Sequence, residues 1–285
     1  MNVPPIKTKG NVVDTIQQPT LEERLAVASN LLTWQLQPFV TPISGACANG
    51  TAVHVGTGGY VEWCRNRLLL TNEHVAREVH KHSLARKCFD SADYLLINNP
   101  FAVLAAPEDL ALSPVDDRWN AVEHSAMAFP EHRFAERHAP LQREYLFVMG
   151  FTGEKAHYSP SFETLFTTGT PLLTQEYDEA LEPEETRRPI RHPGFDSDYH
   201  FAMPWNPSAT TPTDGKTSSI PLDPHGMSGS FVWNTRIAEF TASGETWTPG
   251  VARLTGLLWG WDTNDRFLFA TRIEHVATFL AMLYA

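Results

Sequence analysis

Three side chains in this sequence have the types needed to break an acyl bond together. Ser228 lies in "DPHGMSGSFVW", residues 223–233, between Gly226 and Gly229 and just ahead of an apolar run. A serine hydroxyl is a weak nucleophile until a base removes its proton. His74, in "RLLLTNEHVA" at 67–76, supplies an imidazole whose ordinary pKa near ~6.5 suits that work at neutral pH. A third group must fix the imidazole tautomer, and Asp109 in "PEDLALSPV" at 107–115 offers a carboxylate at the front of a short apolar stretch. Glycines beside the serine permit backbone conformations closed to other residues and let a substrate approach the main chain. If the amides of Gly226 and Ser228 point the same way, they form a site for a developing oxyanion.

Each residue also has an ordinary reading. His74 could end a strand, Asp109 could cap a turn beside Glu108, and Ser228 could sit in a common tight turn. Asp90 and Asp93, in "FDSADYLL", are rival orienting acids, but they follow His74 by too little chain for the intervening strands. What favours the joint reading is that all three residues adjoin a matching apolar run.

Those mounts must come from the rest of the chain. Thr20 and Glu23 have capping-box spacing, and Leu21, Leu25, Ala28 and Leu32 recur at helical intervals, so a helix is expected over about 21–36. From residue 50, short β-prone runs alternate with glycine or proline: "TAVHV", "GYVEW", "RLLLT", "YLLI", "FAVLA", "LAL", "YLFVMGF", "FETLFTT", "SFVW", "LTGLLWGW" and "FLFAT". Such punctuation points to barrels or a sandwich, not a βαβ sheet. Residues 113–143 read as a polar connector and 175–222 as a long irregular loop. A closing helix is expected with Ile273, Val276, Ala277, Leu280 and Leu283 on one face.

With these segments in place, the sequence resembles the chymotrypsin/trypsin-like serine peptidases, in particular bacterial, HtrA-like catalytic domains without a PDZ module. The likeness lies in the order His, Asp, Ser and in "GTGGYVEWCRNRLLLTNEHVA", "DLAL", "YLFVMGF", "GMSGS", "TGLLWGW" and "FLFATRIEHVATFL", over roughly residues 45–285. The resemblance implies an all-β fold of two six-stranded antiparallel β-barrels with an N-terminal and a C-terminal helix. It divides the chain into a lead and helix over 1–44, a first barrel with His74 and Asp109 over 45–140, and a second with Ser228 over 141–285. It also implies that Trp259 and Gly260 form the edge accepting a peptide as an added strand, beside Leu258. The base of the first specificity pocket would fall near Leu222 and Asp223. Met227 stands where trypsin-type zymogens carry an acid, which argues against activation by a freshly cut N-terminus. Ser230 follows Gly229 as in glutamyl-specific relatives, but Leu257 and Leu258 stand where those relatives carry a histidine, which argues against acidic specificity.

Composition narrows the partners. Hydrophobic residues make up 42% and charged residues 19%, enough apolar content for a sizeable core. A net charge of -11 leaves no basic face to neutralise phosphates, so nucleic acid is excluded as the main partner. An odd set of cysteines, Cys47, Cys64 and Cys88, without a CxxC pair fits free thiols in a reducing compartment. No apolar run suits a signal peptide or a membrane span, so the chain is expected to be cytoplasmic, acting on protein or peptide with a possible regulatory partner. His80, His82, His124, His132 and His138 lack the spacing of metal ligands and are expected at the solvated surface; no metal or cofactor is expected. Two other functions compete. An α/β-hydrolase esterase would use Ser228, Asp262 or Asp265, and His275, although Ser230 replaces the second elbow glycine. A protease-like binding module without catalysis is the other.

Overall fold

The computed structural model describes residues 19–185, 187–205 and 223–284. The expected lead thus lies almost wholly outside the described residues, as does 206–222 of the expected long loop. Helix α1 spans Leu21–Leu36 and starts at the expected cap: the Glu23 amide donates to Thr20 Oγ1 at 3.2 Å, and the Thr20 amide donates to Glu23 Oε2 at 2.7 Å. Its buried side chains are Ala28, Ser29, Leu32 and Leu36, whereas Leu21, expected on that face, is exposed in the first turn.

The strands and helices that follow are β1 (Val40–Ala46), β2 (Ala52–Trp63), β3 (Asn66–Thr71), α2 (Glu73–Ala76), β4 (Ser83–Lys87), β5 (Tyr94–Leu96), β6 (Ala102–Leu104), β7 (Leu110–Pro114) and β8 (Phe129–Pro130). After them come β9 (Tyr145–Ser159), β10 (Thr164–Gln175), β11 (His200–Pro204), β12 (Phe231–Asn234), α3 (Ile237–Ser243), β13 (Arg253–Asp262), β14 (Phe267–Arg272) and α4 (Ile273–Tyr284). The first sheet runs β5-β4-β1-β2-β3-β7-β6, and the second β10-β9-β12-β13-β14-β11. The fold is therefore mostly β, in two sheets flanked by a helix at each end.

The second sheet has the expected six strands, all antiparallel; the first has eight because two-residue β8 joins β2 in parallel. Among the described residues, neither ladder path closes on itself. The edges of the second sheet do meet where the Tyr177 amide, just past β10, donates to Ala202 O on β11 at 2.8 Å.

Apart from two-residue β8, three strands were hidden from periodicity. β1 contains Pro42, which cannot donate to a ladder. The ladder to β4 begins only at Ile43, and Thr41 Oγ1 serves the main chain of Lys87 instead, donating to its carbonyl at 2.8 Å and accepting its amide at 3.1 Å. β4 carries Arg86, buried with its guanidinium 5.4 Å from the Tyr60 ring and 5.6 Å from the Trp119 ring, and 3.7 Å from Asp116. β11 opens on a histidine within the acid- and proline-rich 175–222 stretch. In the other direction, "TAVHV" and "GYVEW" are one strand, β2.

One apolar core binds both sheets and both terminal helices. Leu68, Leu70 and Leu112 of the first sheet meet Phe147, Phe231 and Trp233 of the second, with Leu32 and Leu36 of α1 and Ile273, Val276 and Leu280 of α4. Burying each such side chain contributes roughly 1.5–3 kcal/mol. On α4 the buried face also includes Phe279, whereas Leu283, on the same face by the 3.6-residue period, is exposed in the last turn. No helix among the described residues is long and apolar enough to cross a membrane.

Candidate active site

Strand β3 carries buried Leu68, Leu69 and Leu70, then ends at Thr71, and Asn72 leads into the short helix α2. His74 is thus mounted on the end of a rigid, buried strand. Asp109 sits immediately before β7 with φ 51°, in the left-handed region that is unfavourable for most residues. Two contacts tie it to the histidine segment: Asn72 Nδ2 donates to Asp109 O at 2.8 Å, and the His74 amide donates to Asp109 Oδ1 at 3.1 Å. Asp109 Oδ2 lies 2.6 Å from His74 Nδ1. An ionised carboxylate only accepts, so Nδ1 carries the proton and the lone pair is left on Nε2. The Asp109 side chain is 14% exposed and that of His74 44%.

Ser228 occupies a turn whose flanking glycines both have positive φ, 92° at Gly226 and 89° at Gly229. A Cβ on Gly229 would lie 1.9 Å from Thr57 O and 2.5 Å from Thr71 Oγ1, so only glycine fits there. The turn is held from within by Met227 N–H to Pro224 O (3.0 Å) and Ser230 N–H to Met227 O (2.9 Å). The first sheet holds it from across the interface. Thr57 N–H donates to Ser228 O at 2.8 Å, and Thr57 Oγ1 donates to Gly226 O at 2.9 Å while accepting the Phe151 amide at 3.0 Å. His54 Nε2 adds donations to Phe151 O at 3.0 Å and Gly226 O at 3.2 Å. Among the described residues its Nδ1 is buried without a hydrogen-bond partner, and burial pushes the imidazole pKa below its ordinary value.

The amides of the turn divide into bonded and free. His225 O accepts Gly153 N–H at 2.8 Å, so the Gly226 N–H of that trans peptide points the opposite way. Neither the Gly226 nor the Ser228 amide meets an acceptor among the described residues. Ser228 is itself 3% exposed, and its Oγ donates to Trp259 O at 3.2 Å. His74 and Ser228 line one cleft of about 310 Å³, together with His54, Val75, His225 and Trp261. No hydrogen bond joins His74 to Ser228 in this conformation among the described residues; the hydroxyl is turned onto Trp259 O.

The other expected residues fall into place unevenly. Trp259 contributes that carbonyl, and its ring packs 4.8 Å from His200 and 5.5 Å from Phe269. Gly260 is buried in the ladder to Phe269. Strand β12 pairs with β13 only as far as Leu257, so the β12-side edge of Trp259–Asp262 has no strand partner among the described residues. The Leu258 side chain is fully buried in the second sheet's core, its amide donates to Ser230 O, and its carbonyl accepts the Gly229 amide. Asp223 is exposed and closes a local turn by accepting the His225 amide at 2.9 Å, outside the cleft lining. Leu222 lies outside the described residues.

The rivals do not converge on the site. Asp90 accepts from Ser125 Oγ at 3.2 Å, and Ser91 Oγ accepts the Asp93 amide at 3.1 Å. Asp262 caps its own turn through the Asn264 and Asp265 amides, while His275 Nε2 contacts Asp198 O and its ring stacks on Tyr199 at 4.6 Å. Neither arrangement meets Ser228, so the esterase set is not assembled. His138, expected at the surface, is buried against Phe201 with its Nδ1 2.9 Å from Thr255 Oγ1. Sequence reasoning missed His54 and His225. A histidine among the apolar residues, threonines and glycines of "TAVHVGTGG" was the available signal for the first.

Several solved structures are similar in fold. The active form of the Rv3671c protease from M. tuberculosis aligns with a TM-score of 0.46 and 14% identity, over 99% of this chain and 93% of that one. The serine protease domain of the Sesbania mosaic virus polyprotein aligns at 0.42 and 12%, over 84% and 91%. Catalytically active tobacco etch virus protease, complexed with product, aligns at 0.41 and 9%, over 83% and 74%. No protein-family model matches the chain, and no curated protein matches it by sequence. Likeness at this level transfers no residue role or activity.

Proposed function

We propose that this chain is a serine endopeptidase acting through His74, Asp109 and Ser228. The observation that carries the reading is the 2.6 Å contact of Asp109 with His74 Nδ1, which leaves Nε2 as a base in the cleft that also holds the Ser228 hydroxyl. Rotation of the hydroxyl from Trp259 O towards Nε2 begins the reaction. Oγ then attacks the peptide carbonyl as Nε2 takes its proton, and the imidazolium is stabilised by Asp109. The free amides of Gly226 and Ser228 receive the oxyanion. His74 returns the proton to the departing amine, and water repeats the sequence on the acyl-enzyme. The substrate lies along the unpaired edge of Trp259–Asp262 as an added strand.

The two sheets correspond in this reading to a base-and-acid half over 45–140 and a nucleophile half over 141–285. The free thiols of Cys47, Cys64 and Cys88 favour a reducing, cytoplasmic setting.

A latent or silent protease-like module is the second reading, favoured by the turn of the Ser228 hydroxyl onto Trp259 O. A fluorophosphonate probe separates the two. Labelling at Ser228 that is abolished by Ser228→Ala supports the peptidase; an unlabelled, folded wild-type chain at neutral pH favours the module.

A further inference from the structure

The acid of the site is held from the opposite sheet. His200 on β11 and Thr271 on β14 are direct cross-strand partners in the second sheet. Both reach over the interface to the segment that precedes Asp109. His200 Nε2 lies 2.7 Å from Pro107 O, and Thr271 Oγ1 donates to Glu108 O at 2.8 Å. The donor assignment at His200 is fixed by its other nitrogen, since the Asp196 amide donates to Nδ1 at 3.0 Å and the proton must sit on Nε2. Both residues are buried, at 1% exposure for His200 and 0% for Thr271. Behind them Arg272 Nε donates to His200 O at 3.1 Å, and its amide donates to Tyr199 O at 2.8 Å, so the pair cannot drift with its own loop.

We infer that His200 and Thr271 form a clamp that positions the catalytic acid by holding the two carbonyls immediately before it. The clamp rests on the reading of His74, Asp109 and Ser228 as a triad. Its physical need is visible at Asp109, which must keep a left-handed backbone while both carboxylate oxygens serve His74. A residue in that conformation persists only when its surroundings over-determine it. Within the first sheet, Asn72 holds the carbonyl of Asp109 on the far side. The second sheet supplies the near side, so the base and its orienting acid depend on contacts made by the half that carries the nucleophile. Neither His200 nor Thr271 touches the reacting atoms; both act through Asp109, because a displacement of about 1 Å in a catalytic group can cost around a hundredfold in rate.

Thr271→Val removes the hydroxyl with little change of shape, and Thr271→Ser keeps it. The readouts are the proton resonance of His74 Nδ1–H in ¹⁵N-histidine-labelled protein, and kcat and KM on a peptide substrate. The expected result for Thr271→Val is a displaced or broadened resonance and a kcat reduced roughly tenfold with KM within about twofold, both restored in Thr271→Ser. His200→Gln, which can place an amide donor near the lost Nε2, is expected to keep more activity than His200→Ala. An unchanged resonance and kcat in folded Thr271→Val overturns the clamp, as does unfolding of that variant, which would mark the pair as merely structural. The resonance is read without turnover, so failure of the triad itself shows separately, as a wild-type chain that no fluorophosphonate labels.

Discussion

Asp109 grips His74 twice, accepting the backbone amide on one carboxylate oxygen at 3.1 Å and the ring Nδ1–H on the other at 2.6 Å. The first contact fixes where the residue stands and the second fixes how its ring is turned and protonated. Asp109→Asn separates these roles. An Asn amide can still serve the backbone through its oxygen, but its NH2 then faces Nδ1 and forces the proton onto Nε2, where the base is needed. The expected outcome is an unchanged fold by circular dichroism and a kcat lowered by about 10⁴ at neutral pH.

Ser228→Ala is the companion case. Among the described residues the hydroxyl hydrogen-bonds only to Trp259 O, and the turn's own bonds do not use it, so its removal leaves the turn intact. Thermal stability is expected within about 1 kcal/mol of wild type, and turnover is expected to fall by several orders of magnitude. Proteolysis that continues at the wild-type rate in the purified variant defeats the assignment.

Gly229 tests the seam between the sheets. Alanine there meets Thr57 O and Thr71 Oγ1 at distances no real Cβ tolerates, at a φ of 89°. The expected cost is at least ~2 kcal/mol of stability, read as a lowered urea midpoint, together with loss of probe labelling as the turn shifts. Gly244, also at positive φ but with open space around it, is the control: alanine there pays only the backbone term.

Buried His54 predicts acid sensitivity. Burial holds its folded-state pKa below the ordinary 6.5, so the unfolded chain binds the proton more readily. Its contribution to stability is therefore fully present above about pH 6.5 and is lost as pH falls from there towards the lower folded value. His200, also depressed by burial, acts in the same direction. The melting temperature of the wild type is expected to decline between pH 7 and pH 5, and His54→Gln is expected to show a shallower decline. An equal slope in the two proteins removes His54 from this account.

What was legible in the sequence was local. The Thr20–Glu23 cap set the start of α1, and the run Leu68–Leu70 ending in "TNEH" announced a strand carrying a histidine. The two glycines around Ser228 announce a turn that only they can make, and Asp109 stands apart from Asp90 and Asp93 because those two follow His74 by too little chain for the intervening strands. Strands that broke the alternating pattern were not legible. Pro42 in β1, buried Arg86 in β4 and His200 in β11 each contradict a local rule, and each is offset by contacts far away in the chain: Thr41 Oγ1 beside Pro42 bonds Lys87, Arg86 meets the Tyr60 and Trp119 rings, and His200 meets Pro107.

Taken alone, then, the sequence determined which residues could be nucleophile, base and orienting acid, and which short runs would carry them, because capping, periodicity and glycine conformations act over a few residues. Only the tertiary structure decided that Thr57 and His54 of the first sheet hold the Ser228 turn, while His200 and Thr271 of the second hold the segment before Asp109. Hydrogen bonds between residues about a hundred or more positions apart leave no periodic trace, since their partners are chosen by how two folded sheets meet.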